Sequence, residues 1–266
     1  MSLNTKLMSL NHRFVTIVFK SYYWLNHLSP QKQRIISKMK RLPKEGDGKD
    51  LFIVLNGPSL KTQDLTKLKG KVVMCVNKGF KHPLYKEIAP KYHIIVDPNL
   101  RDGIWPIEWL EEIRALSPGV RIILPIEWYS CPVFKNIKDE EYIYWLYWRV
   151  PFYNMGVSGG CFSFGIKQGF HNIFFTGFDG NSCACDMMKG SETHFYGVDP
   201  EHKDMTTKEH ALALFSTFLQ FTDLNCFSDY CKLRGINIIN LTNGGLLDMF
   251  PRKSFDNPYE INIANN

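Results

Sequence analysis

Residues Leu51–Leu60 read Leu-Phe-Ile-Val-Leu-Asn-Gly-Pro-Ser-Leu, and the fold turns on how they are read. Five apolar residues rich in β-formers run directly into Asn56-Gly57-Pro58-Ser59. A continuous apolar run bounded by turn residues is the pattern of a strand buried on both faces, as in a parallel sheet. Asn56 and Gly57 turn the chain, and Pro58 with Ser59 suit the start of a helix or a tight loop. A small-residue turn at the carboxyl end of a buried first strand lets backbone N–H groups come close to a phosphate. An ordinary strand-to-helix turn uses the same residues, so the rest of the chain must decide between scaffold and phosphate cradle.

The same pattern returns at Lys71–Asn77, Tyr92–Asp97, Val120–Pro125, Asn172–Asp179 and Asn237–Thr242, each read as a buried strand. Trp105–Leu116 carries Trp109, Leu110, Ile113 and Leu116 at helical spacing and predicts a crossover helix. Gly156–Phe170, opening on Ser158-Gly159-Gly160, predicts a tightly packed helix. Thr206–Arg234 predicts a long helix broken near Asp223–Asn225 and capped by Gly235. Ser182–Asp204 is polar, small or charged and reads as a loop or lid, while Glu141–Val150 is densely aromatic and receives no element. Strands alternating with crossovers predict an α/β, Rossmann-like, mainly parallel sheet with helices on both faces and a lid segment. Residues 1–49 are read as a basic amphipathic segment ending in the linker Lys44–Lys49, residues 50–250 as the catalytic domain, and 251–266 as a tail.

Charge is unevenly placed along the 266 residues. Residues 1–50 hold ten Lys or Arg against three Asp or Glu, whereas the remainder holds 22 against 23, so +7 precedes a domain of −1. A nucleic-acid-binding core is excluded on that ground, because its basic patch belongs on the folded face. Within residues 12–41, Val15, Val18, Phe19 and Tyr22 recur at helical spacing beside Arg13 and Lys20. Such a segment can lie peripherally on an anionic membrane surface or pack on the domain. No secretory signal pattern is visible, and the apolar stretches fall short of the ~20 residues that span a bilayer. Seven cysteines without framework spacing suggest a reducing, cytoplasmic setting. Cys183-Ala-Cys185 with Asp186 and His194 lacks the second pair of a zinc site, so neither metal nor cofactor is expected.

Four predicted strands end in polar residues, Asn56, Asn77, Asp97 and Asp179. In an open parallel sheet those ends share the edge where ligands bind. His194 lies in the polar loop after the Asp179 strand and is the candidate general base, histidine being the side chain that titrates near neutrality. Among the other seven, His12 and His27 lie in the basic segment and His93 reads as a satisfied core residue. His82 and His171 lie by turns without acidic or nucleophilic neighbours, His210 sits on a helical stretch beside the lid, and His202 is the fallback.

With these residues in place, the chain resembles the bacterial sialyltransferases of glycosyltransferase family 42 and the wider group of MptE-like domains, which includes flagellar motility accessory factors. The similar points are Asn56-Gly57-Pro58-Ser59-Leu60, Cys75-Val76-Asn77, Asp97-Pro98-Asn99, Val157-Ser158-Gly159, Thr176-Gly177-Phe178-Asp179 and Thr193-His194-Phe195-Tyr196-Gly197, in the family's order over roughly residues 50–245. The resemblance implies a CMP-sugar donor at the sheet edge, a metal-independent transfer to a cell-surface glycan such as lipopolysaccharide or a lipid-linked glycan, and His194 as base. It also implies nucleotide or donor contacts from Asn56, Gly57, Ser59, Asn77, Asp97, Asn99, Ser158, Gly159, Gly177 and Asp179. The cysteine usage and the basic segment, rather than the resemblance, make the expectation a cytoplasmic protein able to sit at the inner face of the membrane. The chain departs from the family at Asp97, near Met155 where the family has Arg, and across Asn181 and Cys183–Met187 where it has tyrosines. The donor sugar, the nucleotide base, the acceptor and any homo-oligomer stay open.

Two other readings compete. Gly156-Val157-Ser158-Gly159-Gly160 matches a nucleophile elbow, with Asp179 and His194 following in hydrolase order. An MptE-like diphosphokinase or nucleotide-binding protein would need Mg²⁺, for which Asp97, Asp179 and Asp186 are the candidate ligands.

Overall fold

β1 (Leu51–Val54) is flanked on both sides by parallel strands, and every one of its side chains is buried. The structure, a computed structural model, describes residues 14, 17, 18, 21, 22, 24, 25, 29–188, 191–198 and 205–260. Following α1 (Pro30–Lys40) and β1 come β2 (Val72–Val76), α2 (Tyr85–Ile88), β3 (Tyr92–Ile94), α3 (Pro98–Arg101), α4 (Trp109–Leu116), β4 (Arg121–Pro125) and β5 (Ile143–Leu146). The second part adds α5 (Gly156–Lys167), β6 (Asn172–Thr176), α6 (Ser182–Met187), α7 (Thr207–Lys232) and β7 (Asn237–Asn240). The seven strands are ordered β5-β4-β3-β2-β1-β6-β7, and all their pairings are parallel.

Alternation along the strands separates two covered faces. Leu51, Ile173 and Ile94 meet α5, where a methyl group on Gly165 would lie 2.8 Å from Leu51 and one on Gly160 3.1 Å from Ile94. Those glycines let the helix backbone approach the sheet. On the same face Phe162 of α5 stacks on Phe227 of α7. The opposite face carries Phe52 stacked on Phe174 at 4.9 Å, and His93 against Tyr85 of α2. The chain therefore winds outward from β1 to β5 on one face, then returns through α5 on the other to place β6 against β1. Between β1 and β6 lies the topological switch point, where the carboxyl ends of the strands open a crevice.

Several expectations are corrected. Ile143–Leu146 forms the edge strand β5, which its aromatic composition had hidden. Trp105 lies outside α4, which begins at Trp109. The lid region contains the helix α6. α7 runs unbroken through Asp223–Asn225, because the Asp223 carboxylate accepts from the backbone N–H and side-chain amide of Asn154 at 2.7 and 3.0 Å instead of disturbing its own helix.

Residues 30–49 and 251–260 are tied to the rest of the domain. Ile35, Ile36 and Met39 of α1 are buried, and the Lys38 ammonium donates to the carbonyl of Ile143 on β5 at 2.9 Å. In the segment expected to be a linker, Glu45 pairs with Lys91 and Arg121. Gly46 sits so close to Gly169 that a Cβ would overlap its carbonyl carbon at 1.9 Å. In the tail, Arg252 donates to the carbonyls of Thr242, Gly244 and Gly245. Among the described residues no helix is long and apolar enough to cross a membrane.

Candidate functional site

A cleft of ≈ 240 Å³ opens at the switch point. Its walls come from the ends of β1 (Asn56, Gly57), β2 (Asn77) and β6 (Gly177, Asp179), the first turn of α5 (Ser158), the lid (Thr193, His194) and Gln220 of α7. Seven of the residues singled out in the sequence, distant along the chain, thus share one cleft.

The β1 turn is built for close approach. Gly57 donates its N–H to the carbonyl of Gly177 at 2.8 Å, and a Cβ on Gly57 would lie 1.9 Å from the Asp179 carboxylate. Asn56 donates its side-chain amide to Val76 at 3.2 Å, while its Oδ1 is buried with no partner. A buried acceptor left unpaired costs ~1–3 kcal/mol. Asn77 adopts φ 45°, a left-handed conformation Asn tolerates well, and its Oδ1 accepts from the Val96 N–H. Its carbonyl faces His93 Nε2 at 2.9 Å, while the Tyr85 hydroxyl lies 2.9 Å from Nδ1. The carbonyl can only accept, so Nε2 carries the proton and Nδ1 accepts from Tyr85. His93 is the satisfied core histidine its sequence position suggested, and burial lowers its pKa to about 4.

Asp179 lies three residues beyond β6 and lines the cleft. Burial pushes its carboxyl above the ordinary carboxylate range, against the Ser59 hydroxyl and amide that hold it down. Ser59 donates to this carboxylate at 3.0 Å and does not line the cleft. α5 begins at Gly156 with no side-chain cap and no acidic residue in its first turn, so its amide dipoles open toward the cleft uncompensated. The preceding turn, Tyr153–Met155, is held by Asp223 through Asn154.

The lid turn is tied down from below. Phe195 donates its N–H to the carbonyl of Asn56 at 2.9 Å, and Gly197, at φ 99°, closes the turn onto the His194 carbonyl at 3.0 Å. His194 stacks flat on Tyr196 with ring centroids 4.7 Å apart, and its Nδ1 lies 2.8 Å from the Thr193 hydroxyl. The ammonium of Lys78, itself buried, lies 5.7 Å from the Tyr196 ring and 4.9 Å from the Trp105 ring. Phe195 packs against His82. Lys78 and His82 thus contact the two residues that follow the histidine.

Four predicted contacts lie elsewhere. Asp97 caps α3 by accepting from the Asn99 N–H at 3.0 Å, and neither Asp97 nor Asn99 lines the cleft. Ser59 serves Asp179, and Gly159 faces Met155 inside the α5 turn. The Ser158 hydroxyl donates to the Met155 carbonyl at 2.7 Å, which removes it from the geometry of a nucleophile elbow. Among the described residues no three His, Cys, Asp or Glu side chains gather as metal ligands, and all seven cysteines are unpaired thiols. His202 lies outside the described residues. The sequence reading missed Gln220 and Lys78, which no local motif distinguishes from ordinary helix and strand-end residues.

No family model and no curated protein matches the chain. Two solved structures are similar to it. The sialyltransferase CST-II in complex with a trisaccharide acceptor and CMP is 17% identical, with a TM-score of 0.48 over 80% of this chain and 89% of that one. The monofunctional α-2,3-sialyltransferase Cst-I from Campylobacter jejuni is 16% identical, with a TM-score of 0.45 over 80% of this chain and 82% of that one.

Proposed function

We propose that the chain is a glycosyltransferase that takes a sugar from a nucleotide-sugar donor, a CMP-sugar first among candidates, and passes it to a cell-surface glycan. The observation that carries this reading is the convergence of the β1, β2 and β6 ends with the uncapped start of α5 beneath a lid bearing His194. The ordered motifs read in the sequence name the same residues. In this scheme the amides at the start of α5 face the donor phosphate, and Asn56 and Gly57 form the cleft wall opposite them. With Nδ1 donating to Thr193, the lone pair of His194 lies on Nε2, which removes the proton from an acceptor hydroxyl. That oxygen bonds to the anomeric carbon as the bond from this carbon to the phosphate oxygen breaks and the nucleotide leaves. No metal is assigned a role; of Asp97, Asp179 and Asp186, the carboxylates a Mg²⁺-dependent diphosphokinase would use, Asp97 caps α3 and Asp179 accepts from Ser59.

Calorimetric titration with CMP, UMP, GDP and ATP, followed by transfer assays with and without EDTA, tests the reading. CMP binding and EDTA-insensitive transfer are expected. His194→Ala is expected to lower kcat by ~10²–10⁴-fold, as for loss of a general base, with nucleotide affinity retained. Absence of binding to all four nucleotides would sink the proposal, and full activity in His194→Ala would sink the base.

A further inference from the structure

Ahead of α1, residues 14, 17, 18, 21, 22, 24 and 25 are helical. At 3.6 residues per turn, Phe14, Ile17, Val18, Ser21, Trp24 and Leu25 fall on one stripe about 120° wide, with Tyr22 just beyond its edge. Tyr22 packs on the hydrophobic core, whereas the five large apolar side chains of the stripe are 47–67% exposed. α1 packs on β5, and the helical residues before it turn an apolar stripe outward.

Charge decides what covers that stripe. Residues 1–50 carry +7 while the rest of the chain carries −1. Arg34, Lys40 and Arg41 are exposed on and just after α1, and Arg13 and Lys20 are interleaved with the stripe in sequence. A second copy of the chain would bring the same positive segment against itself. An anionic bilayer brings the opposite sign together with an apolar layer at the depth an interfacial helix reaches. We infer that the helical stripe Phe14–Leu25 lies in the surface of an anionic membrane, with the basic residues of α1 on its headgroups. The inference is independent of what the cleft binds.

Co-sedimentation of the full chain with vesicles tests it, using phosphatidylcholine alone and phosphatidylcholine mixed with phosphatidylglycerol. Binding to the mixed vesicles only, weakening with salt, is expected. Ile17→Glu with Trp24→Glu is expected to weaken it at least about tenfold, since two anchors leave the apolar layer. Arg34→Glu with Arg41→Glu is expected to weaken it too without touching the stripe. Phe215→Ser with Phe218→Ser, on the exposed apolar part of α7, is expected to leave it unchanged. Failure of the native chain to bind, equal binding by the first two variants, or loss of binding only in the α7 variant would overturn the inference. So would a dimer, seen by light scattering, that Ile17→Glu with Trp24→Glu abolishes while vesicle binding persists.

Discussion

The backbone N–H of Phe195 donates to the carbonyl of Asn56 at 2.9 Å, so the lid hangs from the end of the central strand. Asn56 is the first residue of the turn that opens the cleft, and Phe195 follows His194 directly. The candidate base therefore takes its position from the strand that also positions the candidate phosphate cradle. A shift of β1 relative to β6 would move both together.

That coupling makes Gly57 sensitive. A Cβ there meets the Asp179 carboxylate at 1.9 Å and the Gly177 carbonyl at 2.7 Å, and the carbonyl is backbone that cannot swing aside. Gly57→Ala is expected to cost about 1–3 kcal/mol, the range for overpacking a filled site, and to abolish nucleotide binding. Urea denaturation and calorimetry measure the two effects; a variant with native stability and affinity would show that the turn is not a close-approach site.

Lys78 acts on the lid through Tyr196. Its ammonium lies over that ring, and the ring stacks on His194. Lys78→Met keeps the aliphatic stem and removes the charge. We expect kcat to fall about tenfold, the worth of a desolvated cation–π contact, with nucleotide affinity within about twofold of native. Equal losses in kcat and affinity would instead point to general disruption of the β2 end.

Asp179 gives a pH-dependent stability with a definite sign. Its carboxyl titrates above the ordinary 3.8 because burial disfavours the charged form, so ionising it in the fold costs more than in the unfolded chain. The folded state is favoured below pH 3.8, and that advantage is lost as the pH rises through the folded pKa. Asp179→Asn retains an acceptor for Ser59 without the charge. Its thermal midpoint at neutral pH is expected to equal or exceed that of the native chain, with the gap closing in acid. A clearly lower midpoint at neutral pH would show the carboxylate to be stabilising.

His93 works in the opposite direction. Its pKa falls from 6.5 to about 4 on folding, so the unfolded chain binds the proton first and stability drops as the pH falls through that window. Two and a half pH units correspond to about 3 kcal/mol at most. Urea midpoints between pH 7 and 4 should show the decline, and His93→Gln should flatten it even though the variant starts less stable. An unchanged slope would place the acid sensitivity elsewhere.

Six of the seven strands were legible, five because a strand buried on both faces is a continuous apolar run with a turn residue at its end, and the edge strand β7 through its Ile238-Ile239 pair and the turn residues after it. Ile143–Leu146 escaped that rule: its Tyr and Trp sit among further aromatics, and as an edge strand it is covered by α1, a partner over a hundred residues earlier. Asp223 looked like a helix break because an Asp next to an Asn competes with the local backbone. The Asn154 contact that resolves it comes from a different segment and leaves no local trace. Asp97-Pro98 was readable as a helix cap, the Asp before a first-turn Pro, but its place at a strand end made it look like a ligand contact. Lys78 and Gln220 reach the site through packing alone.

β1 is among the first strands synthesised, yet its second neighbour, β6, pairs residues 51–54 with 173–176. Until the chain has been made past Thr176, one edge of this wholly apolar strand has no partner, and the cleft lacks a wall. Such a long-range closure slows folding and leaves a sticky edge waiting. Nascent chains halted before β6 should therefore be captured by chaperones and aggregate readily, whereas chains halted after β7 should not.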